Sequence, residues 1–339
     1  MPLLTDTLNR PLRDLRISLI DRCNFRCPYC MPSEKYHHAY QFLDKEQWLS
    51  FEEIVRLAKI FVGLGVSKLR LTGGEPLLRP ELDVLIHQLS LIPGVDDLAL
   101  TTNGAMLVQW AQSLKAAGLR RLTVSLDTLD ETIFAQMSGE KGSLKDVLEG
   151  IRCAEAVGFD SIKINTVIQR GINDHTILDL VKYFRGTAHS VRFIEYMDVG
   201  NQNHWENDQV VPSSEIISLI NTEFPLEHIQ GTQDGGTSEI YRFKDGQGEI
   251  GFISSVTKAF CGTCNRLRLS ADGKLYTCLF ATHGTDLGGH LRNGSNEEFL
   301  SGMIRDVWKK RDDRYSEIRS QICHRSHGSP KVEMYQIGG

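Results

Sequence analysis

Leu15-Arg-Ile-Ser-Leu-Ile-Asp-Arg-Cys23-Asn-Phe-Arg-Cys27-Pro-Tyr-Cys30 couples a short alternating strand to three cysteines in one loop. Over residues 15–20, Arg16 and Ser18 alternate with Ile17 and Leu19, the period of a strand with two unlike faces. Beyond the loop, Ile54, Leu57, Ala58 and Phe61 recur at helical spacing across residues 51–64, and Ser50 with Glu53 makes a capping box at the start. Residues 68–72 then read as a second strand, ending in Gly73-Gly74-Glu75-Pro76. Two strands joined through a helix run parallel, so the stretch is a βαβ unit with a chemically loaded first loop.

The unit repeats. Helices are expected at 81–89, 107–117, 144–157 and 177–184, and strands at 97–101, 122–126, 161–168 and 191–196. Six such units argue for an α/β fold with a parallel sheet and right-handed crossovers, either an open doubly wound sheet or a partial barrel. In both, the polar residues closing each strand gather along one edge, where ligands bind. Those residues are Thr72-Gly73-Gly74-Glu75, Thr101-Thr102-Asn103, Ser125 with Asp127, Lys163 with Asn165, and Glu195-Tyr196-Met197-Asp198.

After Gly200 the rhythm changes. A short helix is expected at 213–220, a glycine-rich loop at 231–238, and extended segments at 249–255, 266–270 and 275–279. Ala271-Asp272-Gly273-Lys274 is a natural turn between the last two. A helix at 297–310 leads to a tail ending in Gly338-Gly339. The chain divides accordingly into 1–200 and 201–339. The polar loop 201–209, with His204 and Trp205, matches no chemistry; a lid or a surface excursion would explain it equally well.

Of 339 residues, 41% are hydrophobic and 24% charged, an ordinary globular balance, and a formal charge of -5 gives no whole-chain attraction to nucleic acid or membrane. No apolar run approaches a membrane span and the first residues lack a signal-peptide core, so a reducing cytoplasmic setting is expected. Six of the eight cysteines fall into two triplets, Cys23/Cys27/Cys30 and Cys261/Cys264/Cys278, which points to metal rather than disulfides. Cys153 lies in a helical apolar pattern and Cys323 beside His324 and His327; both are read as bystanders.

Three thiolates at short spacing suit two metals. Zinc takes four ligands, and His37 or His38 would complete the first triplet, His283 the second. A [4Fe–4S] cube on three thiolates instead keeps one iron open for an external N/O chelate. Dithiol exchange at Cys261 and Cys264 is a third option, to which another cysteine is superfluous. The first spacing, on a loop directly after a strand, suits a cube better than a zinc knuckle. The second suits either.

Cys23-x3-Cys27-x2-Cys30 with Tyr29, and Gly73-Gly74-Glu75-Pro76 after the second strand, resemble the signature loop and the S-adenosylmethionine (SAM) motif of the radical SAM superfamily. The second triplet followed by Asn265-Arg266-Leu267-Arg268-Leu269, together with Gly338-Gly339, narrows the resemblance to the GTP 3′,8-cyclase family of molybdenum-cofactor biosynthesis, over essentially the whole chain. The resemblance implies an incomplete (β/α)6 TIM-type barrel whose C-terminal extension carries a second iron–sulfur cluster. It implies two [4Fe–4S] clusters, on Cys23, Cys27 and Cys30 and on Cys261, Cys264 and Cys278, with SAM at the first. SAM contacts fall on Tyr29, Gly74, Ser125 and Met197, and Asn103 joins them from position.

The implied reaction converts GTP to (8S)-3′,8-cyclo-7,8-dihydroguanosine 5′-triphosphate. Reductive cleavage of SAM gives a 5′-deoxyadenosyl radical, which takes hydrogen from C3′; the carbon radical then adds to C8 of guanine. A low-potential electron donor such as flavodoxin or ferredoxin, and functional coupling to cyclic pyranopterin monophosphate synthase, follow from the same resemblance, which also leaves room for a homodimer.

A triphosphate needs several cations converging on its oxygens. Arg16, Lys68, Arg70, Lys163 and Arg192 lie on strands, where a charge buried in a parallel sheet is costly unless paired. Solvation or ion pairing would explain any one; five in a comparable setting are harder to dismiss. The family pattern supports Arg16, Arg70, Thr101, Lys163 and Arg192 as GTP contacts. Arg266 and Arg268 share one face of an extended segment, which alone reads as a solvated strand face. The resemblance puts Arg266, Leu267 and Arg268 on the nucleotide, whose guanine edge meets the open iron of the second cluster.

Gly73 and Gly74 would let backbone approach a ligand and Glu75 could accept from an ammonium, although a turn and a capping carboxylate account for the same residues. Gly338-Gly339, ordinarily a disordered end, would thread into the catalytic pocket. Both triplets are then expected to face one shared cavity. The alternatives are a radical SAM enzyme that modifies a peptide with an auxiliary cluster, and a zinc-stabilised binding module.

Overall fold

The computed structural model describes residues 3–229, 236–323 and 330–339, except for the side chains of 320–323. Most of the expected loop at 231–238, and the group of Cys323, His324 and His327, lie outside what is described. Six strands alternate with helices through the first part of the chain: β1 (Asp14–Ser18), β2 (Lys68–Thr72), β3 (Asp97–Thr102), β4 (Arg121–Ser125), β5 (Lys163–Ile168) and β6 (Ser190–Glu195). Between and after them run helices Phe51–Gly63, Leu82–Ser90, Leu107–Ala116, Leu144–Ala156, Ile177–Phe184 and Ser213–Glu223. Ser50 Oγ accepts from Glu53 N at 3.2 Å while Glu53 accepts from Ser50 N at 2.7 Å, the capping box read from the sequence.

The later strands are β7 (Leu226–His228), β8 (Glu239–Phe243), β9 (Glu249–Ile253), β10 (Arg266–Leu269), β11 (Lys274–Tyr276) and β12 (Thr285–Asp286). All belong to one sheet, in the order β12-β11-β10-β1-β2-β3-β4-β5-β6-β9-β8-β7. From β10 to β9 every neighbouring pair is parallel, and the outer pairs are antiparallel. The observed architecture is an α/β fold built on a large, mainly parallel sheet. β10 and β9 cap the two edges that β1 and β6 would otherwise leave with unpaired backbone groups.

The sheet's two faces differ, and that difference positions the site. Leu15, Ile17, Leu69, Leu71, Leu267 and Leu269 point into the main apolar core with the helices. Their alternates, Arg16, Arg70 and Arg268, point the other way. Arg16 stands opposite Arg70 on one side and Arg268 on the other. The sheet is therefore apolar on its helix face and charged on its inner face, rather than apolar on both. No described helix is long and apolar enough to cross a membrane.

Candidate functional site

A cavity of about 500 Å³ opens on the charged face. Arg16 from β1, Lys68 and Arg70 from β2, Thr101 from β3, Lys163 from β5, Arg192 from β6, and Arg266 and Arg268 from β10 all line it. Arg121, on β4, is paired with Asp97, whereas among the described residues Arg16, Arg70, Lys163, Arg192, Arg266 and Arg268 form no ion pair. The Nε atoms of Arg16, Arg70, Arg192 and Arg266 are buried without a hydrogen-bond acceptor. Arg70 Nη1 is held by Thr101 Oγ1 at 3.2 Å and Thr123 Oγ1 at 3.3 Å.

Burial, then repulsion from Arg192, Arg121 and Arg70, brings the Lys163 ammonium down to about 7. Burial and the neighbouring cations likewise lower Arg192 and Arg268, each to about 10. Cations held this close are unfavourable until an anion joins them. The Asp14 carboxylate, which lines the same cavity, favours the charged forms of Arg16, Arg70, Arg266 and Arg268 without forming an ion pair with them.

The second cysteine set forms one wall. Cys261, Cys264 and Cys278 all line the cavity, because the turn Cys261–Thr263 leads into β10 and the antiparallel β10–β11 pair returns the chain to Cys278. Burial opposes ionisation of Cys264, yet the guanidinium groups of Arg266 and Arg311 draw its thiol down to about 6. Cys278 has no such balance and burial, reinforced by Asp313, pushes it up to about 11. Arg266 also stacks 5.1 Å from the centre of the Phe260 ring.

The first set lies on the loop after β1, where Cys30 N and Met31 N both donate to Cys27 O, at 3.0 and 2.8 Å. Burial pushes the Cys23 thiol up to about 12, and raises Cys27 and Cys30, with the charges of neighbouring cysteines adding to it. The segment after β2 docks on this loop: Gly74 N donates to Ile20 O and Glu75 N to Arg22 O, each at 2.8 Å. A Cβ on Gly74 would fall 2.2 Å from Arg22 O, and one on Gly73 2.6 Å from Ile20 O. Both glycines are thus required by the contact between the two loops themselves.

Glu75 follows the capping alternative. Its oxygens accept from Leu77 N at 3.0 Å, Thr102 Oγ1 at 2.7 Å and Asn103 N at 2.8 Å, and burial lifts its carboxyl to about 7. Asn103 Nδ2 reaches Asn24 Oδ1 at 2.7 Å and sits 3.8 Å from Cys23 Sγ. Tyr29 donates to Asp127 at 2.8 Å. Tyr29, Gly74 and Asn103 therefore gather at the first cysteine loop, Ser125 closes β4 opposite Asn165, and Met197 lines the cavity.

One expectation changes: Cys23, Cys27 and Cys30 do not line the cavity. The C-terminal tail runs from one cysteine set toward the other: Tyr335 packs with Met31 and Tyr36 against Cys23 and Cys30, while Gly339 reaches the cavity lining. Arg16 and Arg268 donate to the carbonyls of Gly339 and Gly338, respectively. Between Arg266 and Arg268, the Leu267 side chain is buried in the helix-side core, as alternation on β10 dictates, so its main chain is what it can offer the cavity.

The loop at 201–209 is tied to the tail at its first residue. Asn201 Nδ2 donates to Lys331 O at 2.6 Å and to Glu333 at 3.1 Å, while Trp205 Nε1 donates to Tyr196 O at 2.9 Å and holds the loop to the end of β6.

For metal, the histidines nominated as zinc ligands do not assemble: His37 and His38 line a separate outer concavity, and among the described residues no three His, Cys, Asp or Glu groups close round a single ion. In the first loop, Cys23 and Cys30 both raise the Cys27 thiol, and Cys23 raises that of Cys30, so the three lie near one another. A cube offers a separate iron to each thiolate, so the donor set fits it.

Residues 17–184 match the Radical SAM superfamily, and residues 189–317 match the family described as Molybdenum Cofactor Synthesis C. A GTP 3′,8-cyclase of Xanthomonas axonopodis pv. citri is 50% identical over 336 residues, covering 99% of this chain and 99% of that protein. The chain belongs to the GTP 3′,8-cyclase family. A GTP 3′,8-cyclase of Staphylococcus saprophyticus is 44% identical over 337 residues, again covering 99% of both chains. The first cysteine set falls within the radical SAM match and the second within the molybdenum-cofactor match. In fold alone, the chain is also similar to Streptococcus suis SuiB bound to precursor peptide SuiA, with a TM-score of 0.61 at 14% identity, covering 92% of this chain and 68% of that one.

Proposed function

We propose that this protein is a GTP 3′,8-cyclase: a radical SAM enzyme that converts GTP to (8S)-3′,8-cyclo-7,8-dihydroguanosine 5′-triphosphate, the first step of molybdenum-cofactor biosynthesis. Its cofactors are SAM and two [4Fe–4S] clusters. The observation that carries the substrate is the array of cations without an ion pair that lines one cavity on the inner face. That array asks for a polyanion, and a triphosphate is one.

When bound, the first cluster and SAM supply the radical chemistry, which the protein has only to aim. Cys23, Cys27 and Cys30 hold the first cluster, with Tyr29, Gly74, Asn103, Ser125 and Met197 around SAM. Cys261, Cys264 and Cys278 hold the second. Arg16, Lys68, Arg70, Thr101, Lys163 and Arg192 take the triphosphate, and Arg266 and Arg268 bracket the nucleotide; a contribution from Leu267 would come through its backbone. Gly338 and Gly339 complete the pocket wall. Proximity of C3′ to the abstracting centre is what this wall secures.

The parallel strands from β1 to β6 act as an incomplete (β/α)6 barrel of TIM type over residues 1–200, with 201–339 supplying the auxiliary cluster. A flavodoxin or ferredoxin supplies the electron, cyclic pyranopterin monophosphate synthase consumes the product, the setting is cytoplasmic, and a homodimer is compatible with the fold.

The rival reading, peptide modification, shares the fold but leaves the cation array unexplained. Equilibrium binding to the cluster-loaded protein separates the two. GTP should bind far more tightly than guanosine, and Arg70→Ala and Arg192→Ala should each weaken it by about tenfold or more. Equal binding of GTP and guanosine would remove the array from the site.

A further inference from the structure

Behind the second cysteine set lies a buried charge cluster that reaches across the chain. Asp6, Arg10 and Arg311 are 6%, 2% and 4% exposed. Asp6 Oδ2 accepts from Arg10 Nε at 2.5 Å and from Arg311 Nη1 at 3.4 Å, so one carboxylate joins two guanidinium groups. Of their other donors, Arg10 Nη1 reaches Asp313 O at 2.8 Å and Arg311 Nε reaches Asp313 Oδ2 at 3.3 Å, and the rest of the contacts are to the cysteine segments. Arg10 Nη1 donates to Cys261 O at 2.8 Å. Arg311 Nη1 donates to Cys264 O at 2.6 Å, and Arg311 Nε to Thr277 O, the peptide preceding Cys278, at 3.1 Å. The last arm, Arg311 Nη2, donates to Cys264 Sγ at 3.2 Å.

One planar group therefore grips two of the three cysteine segments and a thiol, while its partner holds the third. A lysine has neither the fork nor the reach for this. Arg311 is itself fixed from behind: its guanidinium lies 4.6 Å from the centre of the Trp308 ring, and its carbonyl accepts from Thr7 Oγ1 at 2.7 Å. Arg311 Nε also pairs with Asp313 Oδ2 at 3.3 Å, so two carboxylates meet the two buried cations, and a thiolate at Cys264 adds to them beside Arg311 Nη2.

We propose that Arg311, held by Asp6 alongside Arg10, is a positioning residue of the second cysteine site that sets the reduction potential of the cluster bound there. The proposal rests on the reading that this triplet holds a [4Fe–4S] cluster. A cationic donor to a ligating sulfur stabilises the more electron-rich, reduced cluster, and so raises its potential. The same residue keeps Cys264 and the Cys278 segment together before any cluster is present.

The test uses the full chain with Cys23→Ala, Cys27→Ala and Cys30→Ala, so that only the second site can load. Arg311→Met in this background should shift the cluster's midpoint to a more negative potential and change its low-temperature electron paramagnetic resonance signal; Arg311→Lys should fall between. In the cluster-free protein, Arg311→Met should speed amide exchange across 261–264 and 277–278 by on the order of tenfold, with strands β2 to β5 unchanged as the check on folding. An unaltered midpoint together with unaltered exchange would overturn the proposal. Absence of iron and sulfide from the parent carrying Arg311 would sink the cluster reading instead, and the exchange comparison would still decide whether Arg311 holds the loop.

Discussion

Arg16 donates a hydrogen bond to the Gly339 carbonyl across 323 positions of sequence, and its strand neighbour Arg268 does the same for Gly338. Two cations from adjacent parallel strands thus hold the chain's last two residues against the cavity. The tail becomes a wall of the site rather than a loose end.

Gly338 has φ of +73°, and a Cβ there would fall 2.1 Å from Thr72 Cγ2. Gly338→Ala must displace the tail while leaving the core untouched. We expect about a hundredfold loss of cyclised product with an unchanged thermal midpoint, and continued SAM cleavage uncoupled from GTP. Product yield and 5′-deoxyadenosine yield, measured together, check this; a parallel fall in Tm would point to misfolding instead.

Lys163 binds phosphate only when charged, and its ammonium is depressed to about 7 by burial and by Arg192, Arg121 and Arg70. Raising pH through 7 therefore removes a positive charge from the free site. GTP affinity should fall above pH 7, by up to about tenfold per unit, with proton uptake on binding. Calorimetry in buffers of different ionisation enthalpy reads that uptake. Lys163→Gln should bind weakly with a flatter pH profile; a profile identical to the parent's would rule Lys163 out.

Asp198 anchors the tail, pairing with Arg319 and Lys331, both at 2.8 Å, while Tyr315 donates to it. Although burial opposes it, these partners hold its carboxyl below the usual 3.8. The folded value is thus below the unfolded one, so the stabilisation is present above pH 3.8 and is lost as pH falls through the folded value. Asp198→Asn should cost about 3 kcal/mol at neutral pH and raise the KM for GTP through a loosened tail. Denaturant titration at pH 7 and pH 3 should show the difference between parent and variant shrinking in acid.

Glu75 runs the other way. Burial raises its carboxyl from 4.5 to about 7, so the folded state holds extra protons between those values. Its contribution to stability is fully present below pH 4.5 and declines as pH rises toward 7. Glu75→Gln should flatten that slope and, by turning an amide N–H toward the donors Leu77 N, Thr102 Oγ1 or Asn103 N, cost about 1–3 kcal/mol. Weakened SAM binding should accompany it, because the Glu75 carboxyl fixes Asn103, whose amide lies 3.8 Å from Cys23 Sγ.

Local pattern made much of this visible from sequence. The strand Lys68–Thr72 and the helix Ile177–Phe184 stand where alternation and helical spacing put them, since apolar periodicity and burial agree there. Chemistry-bearing side chains on strands could be named one at a time. What sequence spacing could not supply was the register that sets Arg268 beside Arg16 and Arg16 beside Arg70, because β10 joins the edge of β1 from far along the chain. Nor did it suggest that Asp6 and Arg311, 305 positions apart, share a hydrogen bond. Arg121 and Thr123 were also missed as lining residues, and their alternation on β4 was the signal that would have found them.

Hydrogen transfer from the substrate tests the central claim most directly. Reduced, cluster-loaded protein is given SAM and GTP deuterated at C3′, and the 5′-deoxyadenosine released is weighed by mass spectrometry. One deuterium in that product, formed alongside a cyclised nucleotide triphosphate, is the expected result. Unlabelled 5′-deoxyadenosine with GTP recovered intact would contradict the assignment of GTP as the substrate held by the Arg16, Arg70 and Arg192 array.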